Sequence, residues 1–158
     1  YQSRGVVRDL IHAFKYDHRL YLRRPLAAWL AEALADRRIA NRPFAAFVPV
    51  PLHHIRYRER EFNQAAELAR LVARSTGIPM WDCLRRTRYT TTQTKLDRHE
   101  RMENLRGAFR LRHTAGVKDR HLVLVDDVFT TGSTVEECSC VLLRAGAASV
   151  RVITIARG

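Results

Sequence analysis

Apolar residues in the first third of the chain recur every three or four positions, which is the spacing of amphipathic α-helices. The first set is Val7, Leu10, Ile11 and Phe14, and the second set is Leu26, Trp29, Leu30, Ala33 and Leu34. Pro25 precedes the second set, and proline is well tolerated in the first turn of a helix. The pattern therefore predicts two amphipathic helices, separated by a charged break.

The apolar residues that follow form a short continuous run instead. Residues 46–50 are apolar, and Pro49 and Pro51 interrupt and close the run, as is typical of a buried strand that ends in a constrained loop. The loop beyond Pro51 is rich in His and Arg. A third helix is then predicted from apolar positions at Leu68, Leu71 and Val72, with Gly77 and Pro79 as its end signals.

The last third of the chain has the clearest pattern. Residues 122–125 are a continuous apolar strand, and residues 130–134 are a polar turn. A helical stripe follows at Val135, Cys138, Leu142 and Ala145, with Gly146 as its end and a final strand at Val150, Val152, Ile153 and Ile155. Alternating strands and helices predict an α/β fold with a central, mainly parallel sheet flanked by helices. We expect residues 1–158 to form one domain.

Residues 85–106 lack apolar periodicity, except for a short helical pattern near Met102 and Leu105. We interpret this segment as a mobile loop. Long loops in compact domains are often lids over active sites, although plain surface disorder is the alternative.

Composition and charge indicate a globular protein with phosphate-bearing partners. The hydrophobic share of 46% and the charged share of 28% are ordinary for a globular protein and argue against disorder or collagen. The formal net charge is +12, and Lys15, Lys95 and Lys118 are the only lysines, so arginine carries most of it. Arginine suits bidentate phosphate contacts, which favours phosphate-bearing partners, although coding bias would also explain its abundance.

The number of cysteines and the hydropathy of the chain indicate in which cell compartment the protein is expected. The odd number of cysteines (Cys83, Cys138 and Cys140) predicts free thiols in the reducing cytoplasm. Cys138 and Cys140 would point to different faces of a helix, so a zinc site within this chain is not expected. The sequence has neither a targeting pattern nor an apolar run of the roughly 20 residues that a membrane span needs, so we expect no membrane insertion.

The segment from Leu122 to Thr134 combines two kinds of polar chemistry. Asp126 and Asp127 follow the apolar strand, at the edge where open α/β sheets bind ligands. The hydroxyl-rich turn after them would begin a helix, whose free N–H groups and dipole favour a phosphate, with Gly132 allowing close backbone approach. Adjacent carboxylates would repel that phosphate, so they are expected to accept hydrogen bonds from sugar hydroxyls or to meet a divalent cation. A sugar phosphate would suit both features, because its hydroxyls can donate to the aspartates and its phosphate can bind at the hydroxyl-rich turn.

A purely structural alternative is a capping box, with Ser133 or Thr134 paired to Glu136 or Glu137. Capping would not need four hydroxyls or two adjacent aspartates. Other phosphate, hydrolase and zinc-protease motifs are absent from the sequence.

The same segment resembles the signature with which type I phosphoribosyltransferases bind 5-phosphoribosyl 1-pyrophosphate (PRPP). Further motifs are similar to the ComF-like competence proteins of that superfamily. These motifs are Val48-Pro-Val-Pro51, Arg58-Glu-Arg60, Phe62-Asn-Gln64, Gln93, Arg101, Asn104-Leu105 and Gly107-Ala-Phe109. The chain departs from the family pattern at Glu61, where Gly is common, and has no four-cysteine zinc ribbon before Tyr1. We therefore expect either that an upstream zinc ribbon has been removed or that this member has none.

The resemblance implies a type I phosphoribosyltransferase-like fold with a small hood and a flexible lid loop. It also implies a site for magnesium-bound PRPP. Asp126 and Asp127 would bind the ribose hydroxyls as catalytic residues and meet Mg²⁺, mostly through PRPP. The 5′-phosphate would be held by Thr130, Thr131, Gly132, Ser133 and Thr134. The pyrophosphate loop would comprise Pro51, Leu52, His53 and His54, with added charge from Arg56, Arg58 and Arg60, unless these arginines are only a solvated face.

The remaining candidates are lid, acceptor and supporting residues. The lid and acceptor candidates are Gln93, Lys95, Arg101 and Asn104, and the further candidates are Lys15, Asn63 and Gln64. A histidine pair beside a phosphate is more often an anion contact or plain surface, so neither His53 nor His54 is assigned as a general base. The two opening helices and residues 85–109 are the expected hood, and the sequence does not name the acceptor.

Two classes of function follow. The first is a Mg²⁺-dependent transferase that moves phosphoribosyl from PRPP to an unknown acceptor and releases pyrophosphate. The alternative is a catalytically silent, PRPP-dependent protein that binds single-stranded DNA during DNA uptake, in contact with competence machinery. Tyr57, between Arg56 and Arg58, is the best base-stacking candidate. A homodimer and a degenerate member that keeps the fold for partner contacts stay open.

Overall fold

The computed structural model describes residues 1–2, 4–17, 19–90, 98–112 and 116–158. The α-helices are α1 (Gly5–Tyr16), α2 (Arg23–Glu32), α3 (Arg37–Ala40), α4 (His54–Arg60), α5 (Gln64–Thr76), α6 (Arg98–Leu105) and α7 (Ser133–Arg144). The strands are β1 (Ala46–Pro49), β2 (Leu84–Arg86), β3 (Phe109–Leu111), β4 (His121–Phe129) and β5 (Ser149–Arg157). Short 3₁₀ turns at Leu20–Leu22 and Ala33–Ala35 flank α2.

The central sheet is parallel and has the order β1-β4-β5. Its middle strand, β4, is the continuous apolar run of the sequence, because a strand covered on both faces needs apolar residues on both. The outer edge of β1 is covered by a bridge from Phe47 to Met80, and that of β5 by a bridge from Gln2 to Arg157. These observations confirm the predicted α/β class.

Alternate residues of the strands enter two hydrophobic clusters on opposite faces of the sheet. Phe47, Val123 and Val125 pack with residues of α1, α2 and α5. Val48, Leu122 and Leu124 pack with α7 and with residues around β2 and β3. The period of two along a strand therefore assigns each helix to a layer. No helix in the described part of the chain is long and apolar enough to cross a membrane.

A two-stranded antiparallel sheet, β2–β3, lies beside the second cluster. The prediction of a loop over residues 85–106 is wrong at its start, where β2 forms, whereas α6 confirms the short helical pattern near Met102 and Leu105. Strands of three residues with two arginines in β2 leave almost no periodic signal.

Two further boundaries differ from the sequence prediction. The segment after Pro51 is not wholly a loop, because α4 begins at His54 and runs to Arg60. Strand β4 continues through Asp126 and Asp127 to Phe129, because it pairs with β5 as far as Arg157. The acidic pair therefore lies inside the carboxyl-terminal half of the strand instead of after its end.

Candidate functional site

The carboxyl ends of β1 and β4 bring the first site residues together. The Val50 N–H donates to the carbonyl oxygen of Val125 at 2.9 Å, so the segment that begins at Pro51 lies beside Asp126. The predicted pyrophosphate loop and the acidic pair thus occupy one edge of the sheet, where a parallel sheet binds ligands.

Asp127 forms a buried ion pair with Lys15. Asp127 follows Val125 on the side of the sheet that carries α1, and its Oδ2 lies 2.7 Å from Nζ of Lys15 at the end of that helix. Both side chains are largely buried. The structure therefore brings Lys15, a lesser candidate from the sequence, directly to the acidic pair.

Asp126 has a different environment. Its Oδ1 accepts the Asp127 N–H at 2.9 Å, and burial together with the neighbouring Asp127 charge raises the pKa of Asp126 to about 7, although Lys15 opposes the shift. An acid with such a pKa is poised to lose its proton when a cation or a hydroxyl donor arrives. A strongly shifted acid at a sheet edge is typical of a functional site.

The turn after β4 has the open geometry expected for an anion site. Gly132 is the N-cap of α7 with φ of 83°, and a Cβ there would lie 2.7 Å from the Phe129 ring, so only glycine fits. No side chain caps this helix, which leaves its first N–H groups available for a ligand.

The hydroxyls of this turn do not form the capping box considered from the sequence. Thr131 and Ser133 hydrogen-bond each other at 3.0 Å, and Glu137 accepts the Gly107 N–H at 2.7 Å instead of reaching the start of its own helix. Thr130 is exposed, whereas Ser133 is buried and Thr134 partly buried in the first turn of α7.

His53 and His54 have separate environments within the predicted pyrophosphate loop. His53 is buried, and its Nδ1 accepts the Ile55 N–H at 3.4 Å, which leaves Nε2 as the donor of the neutral ring. Burial, with the charges of His54 and Arg86, lowers the pKa of His53. His53 is therefore suited to donate a hydrogen bond as a neutral ring, and His54 is exposed beside Leu52 and the buried Pro51.

The three arginines predicted to add charge to this loop lie on α4, and they diverge. Arg58 lies two positions from each of the other two and does not share their face, whereas Arg56 and Arg60 are four positions apart and lie on the same side of α4. Arg56 pairs with Glu59 at 2.9 Å and lies 5.9 Å from the centre of the Tyr89 ring, whereas Arg60 donates to the Tyr16 hydroxyl at 3.0 Å. Arg58 lines an adjoining cleft, so these three arginines do not form one anion site.

Arg86 is a candidate site residue that the sequence analysis missed. Its guanidinium stacks on Phe109 with 5.3 Å from Cζ to the ring centre, and it donates to the buried hydroxyl of Thr90. Burial lowers the pKa of Arg86, and Cys138, Arg56 and Asp126 all act on its charge. Arg86 is thus close enough to Arg56 and Asp126 to interact with their charges, and the Arg85-Arg86 pair after an apolar residue was its only sequence signal.

Asn63 and Gln64 support the loop from the start of α5. The Asn63 side chain caps α5 by accepting the Ala65 N–H at 3.0 Å and donates to the Val50 carbonyl at 3.0 Å, so it holds the loop in place. Gln64 is buried, and its Nε2 has no hydrogen-bond partner among the described residues, like Nε of Arg60 and Arg86. Buried donors without partners are rare, and the fourth in the described part of the chain, Nε of Arg151 on β5, lies away from this site.

The lid candidates are described only in part. Gln93 and Lys95 lie outside the described residues, and so does the side chain of Arg101. The Asn104 carbonyl accepts a hydrogen bond from Arg88 at 2.7 Å, which ties the segment after β2 to the end of α6.

Comparison with known proteins shows two kinds of similarity. The sequence pattern named "Phosphoribosyl transferase domain" matches residues 63–158. Competence protein F of Haemophilus influenzae is 36% identical over 152 residues, and DNA utilization protein YhgH of Escherichia coli K12 is 41% identical over 152 residues. Each alignment covers 94% of this chain and 66% of the relative, so the chain spans just under two thirds of the length of these relatives.

A solved structure supports the fold. Adenine phosphoribosyltransferase from Thermoanaerobacter pseudethanolicus superposes with a TM-score of 0.53, at 13% identity, over 90% of this chain and 84% of that one. At this identity the likeness concerns the fold alone.

Proposed function

The chain belongs to the phosphoribosyltransferase family, in the branch of competence protein F and its relatives, and from this premise we propose that it binds PRPP and transfers its phosphoribosyl group. Pyrophosphate would leave as an acceptor nucleophile attacks the anomeric carbon, which breaks the bond between that carbon and the pyrophosphate oxygen. The acceptor is not identified by the residues of the site.

One observation carries this proposal: the acidic pair and an uncapped, glycine-started helix stand together at one end of β4. The segment from Thr130 to Thr134 contains the start of α7 with its uncapped N–H groups, which suits the 5′-phosphate. Asp126 and Asp127 lie just before them and suit the ribose hydroxyls as hydrogen-bond acceptors. The ligand that needs an anion site next to hydroxyl acceptors is a sugar phosphate.

The pyrophosphate of PRPP would lie against the segment from Pro51 to His54. Neutral His53 supplies a hydrogen-bond donor there, and Arg86 supplies a largely desolvated positive charge whose field reaches Asp126. Fixed donors and charges in a partly buried site stabilise a departing anion more strongly than water does.

Mg²⁺ is the proposed companion of PRPP. Within the described ranges, no three His, Cys, Asp or Glu side chains form a cluster that could hold a metal ion, and Asp127 is engaged by Lys15. This donor set fits a cation carried mainly by the phosphates and completed by Asp126, since Mg²⁺ is usually held by one or two carboxylates together with substrate phosphates. Bound there, the ion would neutralise charge on the pyrophosphate.

The test of transfer is release of pyrophosphate. The chain, incubated with PRPP, Mg²⁺ and a panel of nucleobases, should release pyrophosphate with at least one acceptor. Asp126→Asn combined with Asp127→Asn should lower that rate on the order of 100-fold, as removal of groups that act on the reacting charge does. Asp9→Asn, in an exposed acid on α1, is the matched control and should keep the rate. PRPP binding without release for any acceptor would exclude transfer and leave binding intact.

A second candidate function is contact with single-stranded DNA. It is favoured by the net charge of +12 and by the names of the relatives, which are a competence protein and a DNA utilization protein. Binding that depends on phosphate contacts should weaken steeply as salt rises, because counterions are released.

A further inference from the structure

A second basic site lies between α4 and the β2–β3 sheet. It is a cleft of about 330 Å³, near the lower end of the range for small-ligand sites. Its lining comprises Pro51, Leu52, His54, Tyr57, Arg58, Arg85, Arg86 and Arg112. The first three belong to the predicted pyrophosphate loop and Arg86 belongs to the site described above, so the two sites share a wall.

The charge of the cleft is strongly positive. On α4, His54, Tyr57 and Arg58 have the three- and four-residue spacing that places side chains on one face. Opposite them stand arginines of the β2–β3 sheet. Arg112 is paired with Asp82 at 3.4 Å, a partly screened contact since both side chains are about half exposed. A cleft with this lining attracts phosphate groups.

The β2–β3 sheet adds further positive charge at the edge of the cleft. Arg85 and Arg110 are direct partners in the β2–β3 register, so both project from the same face. Both are exposed, whereas Leu84, Phe109 and Leu111 turn toward the other, covered face. Like charges directly opposite each other destabilise a strand pair. Of this pair, Arg85 lines the cleft and Arg110 does not, so a phosphate bound in the cleft would offset the repulsion through Arg85.

Tyr57 adds a surface for an aromatic ring. Its side chain is 51% exposed although it lines the cleft, and it follows Arg56 and precedes Arg58. Exposed aromatic rings beside arginines are the platform on which nucleic-acid bases stack. We propose that this cleft binds a nucleoside phosphate, with the phosphate on Arg58 and Arg85 and the base on Tyr57. The source is either a free nucleotide or a segment of single-stranded nucleic acid.

This proposal assigns a binding site to the second candidate function, contact with single-stranded DNA, and it rests on that function. It does not require phosphoribosyl transfer. The shared wall from Pro51 to His54 would place the nucleoside phosphate next to PRPP, so that both ligands contact the same loop.

The experiment uses a fluorescent single-stranded oligo-dT of about 12 nucleotides and measures its binding by fluorescence anisotropy over a series of salt concentrations. The test variant combines Arg85→Ala with Tyr57→Ala. The matched control combines Arg144→Ala with Tyr21→Ala, which removes the same charge and another exposed ring elsewhere. Thymidine monophosphate is added as a competitor in a separate arm.

The test variant should bind at least about 10-fold more weakly than wild type, with a salt slope smaller by about 1 for the lost phosphate contact. The control should stay within about twofold, because an isolated surface charge contributes little. Displacement by thymidine monophosphate would show that a free nucleotide fills the cleft, and binding of the oligonucleotide alone would show that the cleft takes a nucleic-acid chain.

Equal weakening in the test and control variants would overturn the assignment of the cleft while leaving nucleic-acid binding in place. Absence of binding of both probes to folded wild type would overturn the second candidate function as well. Thermal melting separates these results from misfolding. Arg85→Ala should melt no lower than wild type, because it removes the repulsion with Arg110.

Discussion

Asp126 and Asp127 are neighbouring acids at the same sheet edge, but their electrostatic environments differ. Asp127 is compensated by Lys15 at 2.7 Å, whereas Asp126 is partly buried beside another negative charge and its pKa rises to about 7. An arrangement that disfavours ionisation of Asp126 destabilises the fold near neutral pH. Sites that bind ligands commonly contain such groups, because the ligand supplies the missing partner.

Asp126→Asn should therefore stabilise the protein at about pH 8. The expected gain is about 1–2 kcal/mol, less than the roughly 4 kcal/mol that the full pKa shift would give, because Asp126 is only partly buried. A raised folded-state pKa contributes stability that is complete below the unfolded-state value of about 4 and is lost as pH rises through about 7. The gain should accordingly shrink toward about pH 4 in urea unfolding experiments.

Asp127→Asn is the control for this measurement. It removes the partner of Lys15 and leaves a largely buried cation unpaired, so it should lower the free energy of unfolding at the same pH. A gain for both variants, or a gain for Asp126→Asn that does not change with pH, would contradict the electrostatic explanation.

At the scale of elements, α4 is where sequence reasoning was weakest. Its residues are mostly charged, and Ile55 is its one aliphatic residue. The sequence therefore lacks the apolar stripe that predicts a helix. The helix is defined by its ends instead: His53 caps its start and Glu61 ends it in the left-handed conformation, with φ of 65°. The departure from the family pattern at Glu61 thus falls where glycine is conformationally favoured.

Glu61→Gly should stabilise the chain by about 0.5–1 kcal/mol, because glycine avoids the left-handed penalty but loses more backbone entropy on folding. Glu61→Ala keeps the Cβ and is the control. Thermal melting should show a rise for glycine and none for alanine. Equal melting temperatures for wild type and both variants would mean that the positive φ at this position carries no strain.

At the scale of the whole molecule, the sequence pattern predicted the helices and strands that depend on the order of apolar and polar residues along the chain. The opening helices, α5 and α7 have clear helical periodicity, and the apolar runs of β4 and β5 mark strands, so the turn from Thr130 to Thr134 falls between a strand and a helix. The parallel sheet follows because strands alternate with helices.

The pattern did not predict features that depend on tertiary contact. Strands β2 and β3 exist by pairing with each other, and the arginines in them carry no strand signal. The same holds for Arg86, whose place near Asp126 is set by the packing of the β2–β3 sheet against α7. Lys15 could be ranked only as a lesser candidate, because its distance to Asp127 depends on how α1 crosses the sheet.

The central claim is that the end of β4 binds PRPP, and calorimetric titration of PRPP with Mg²⁺ tests it most directly. Wild type and Asp9→Asn should bind, and the variant with Asp126 and Asp127 both changed to Asn should not, although it remains folded. Loss of binding only in that variant is the predicted result. Equal binding by all three proteins, or no binding to folded wild type, would contradict the account.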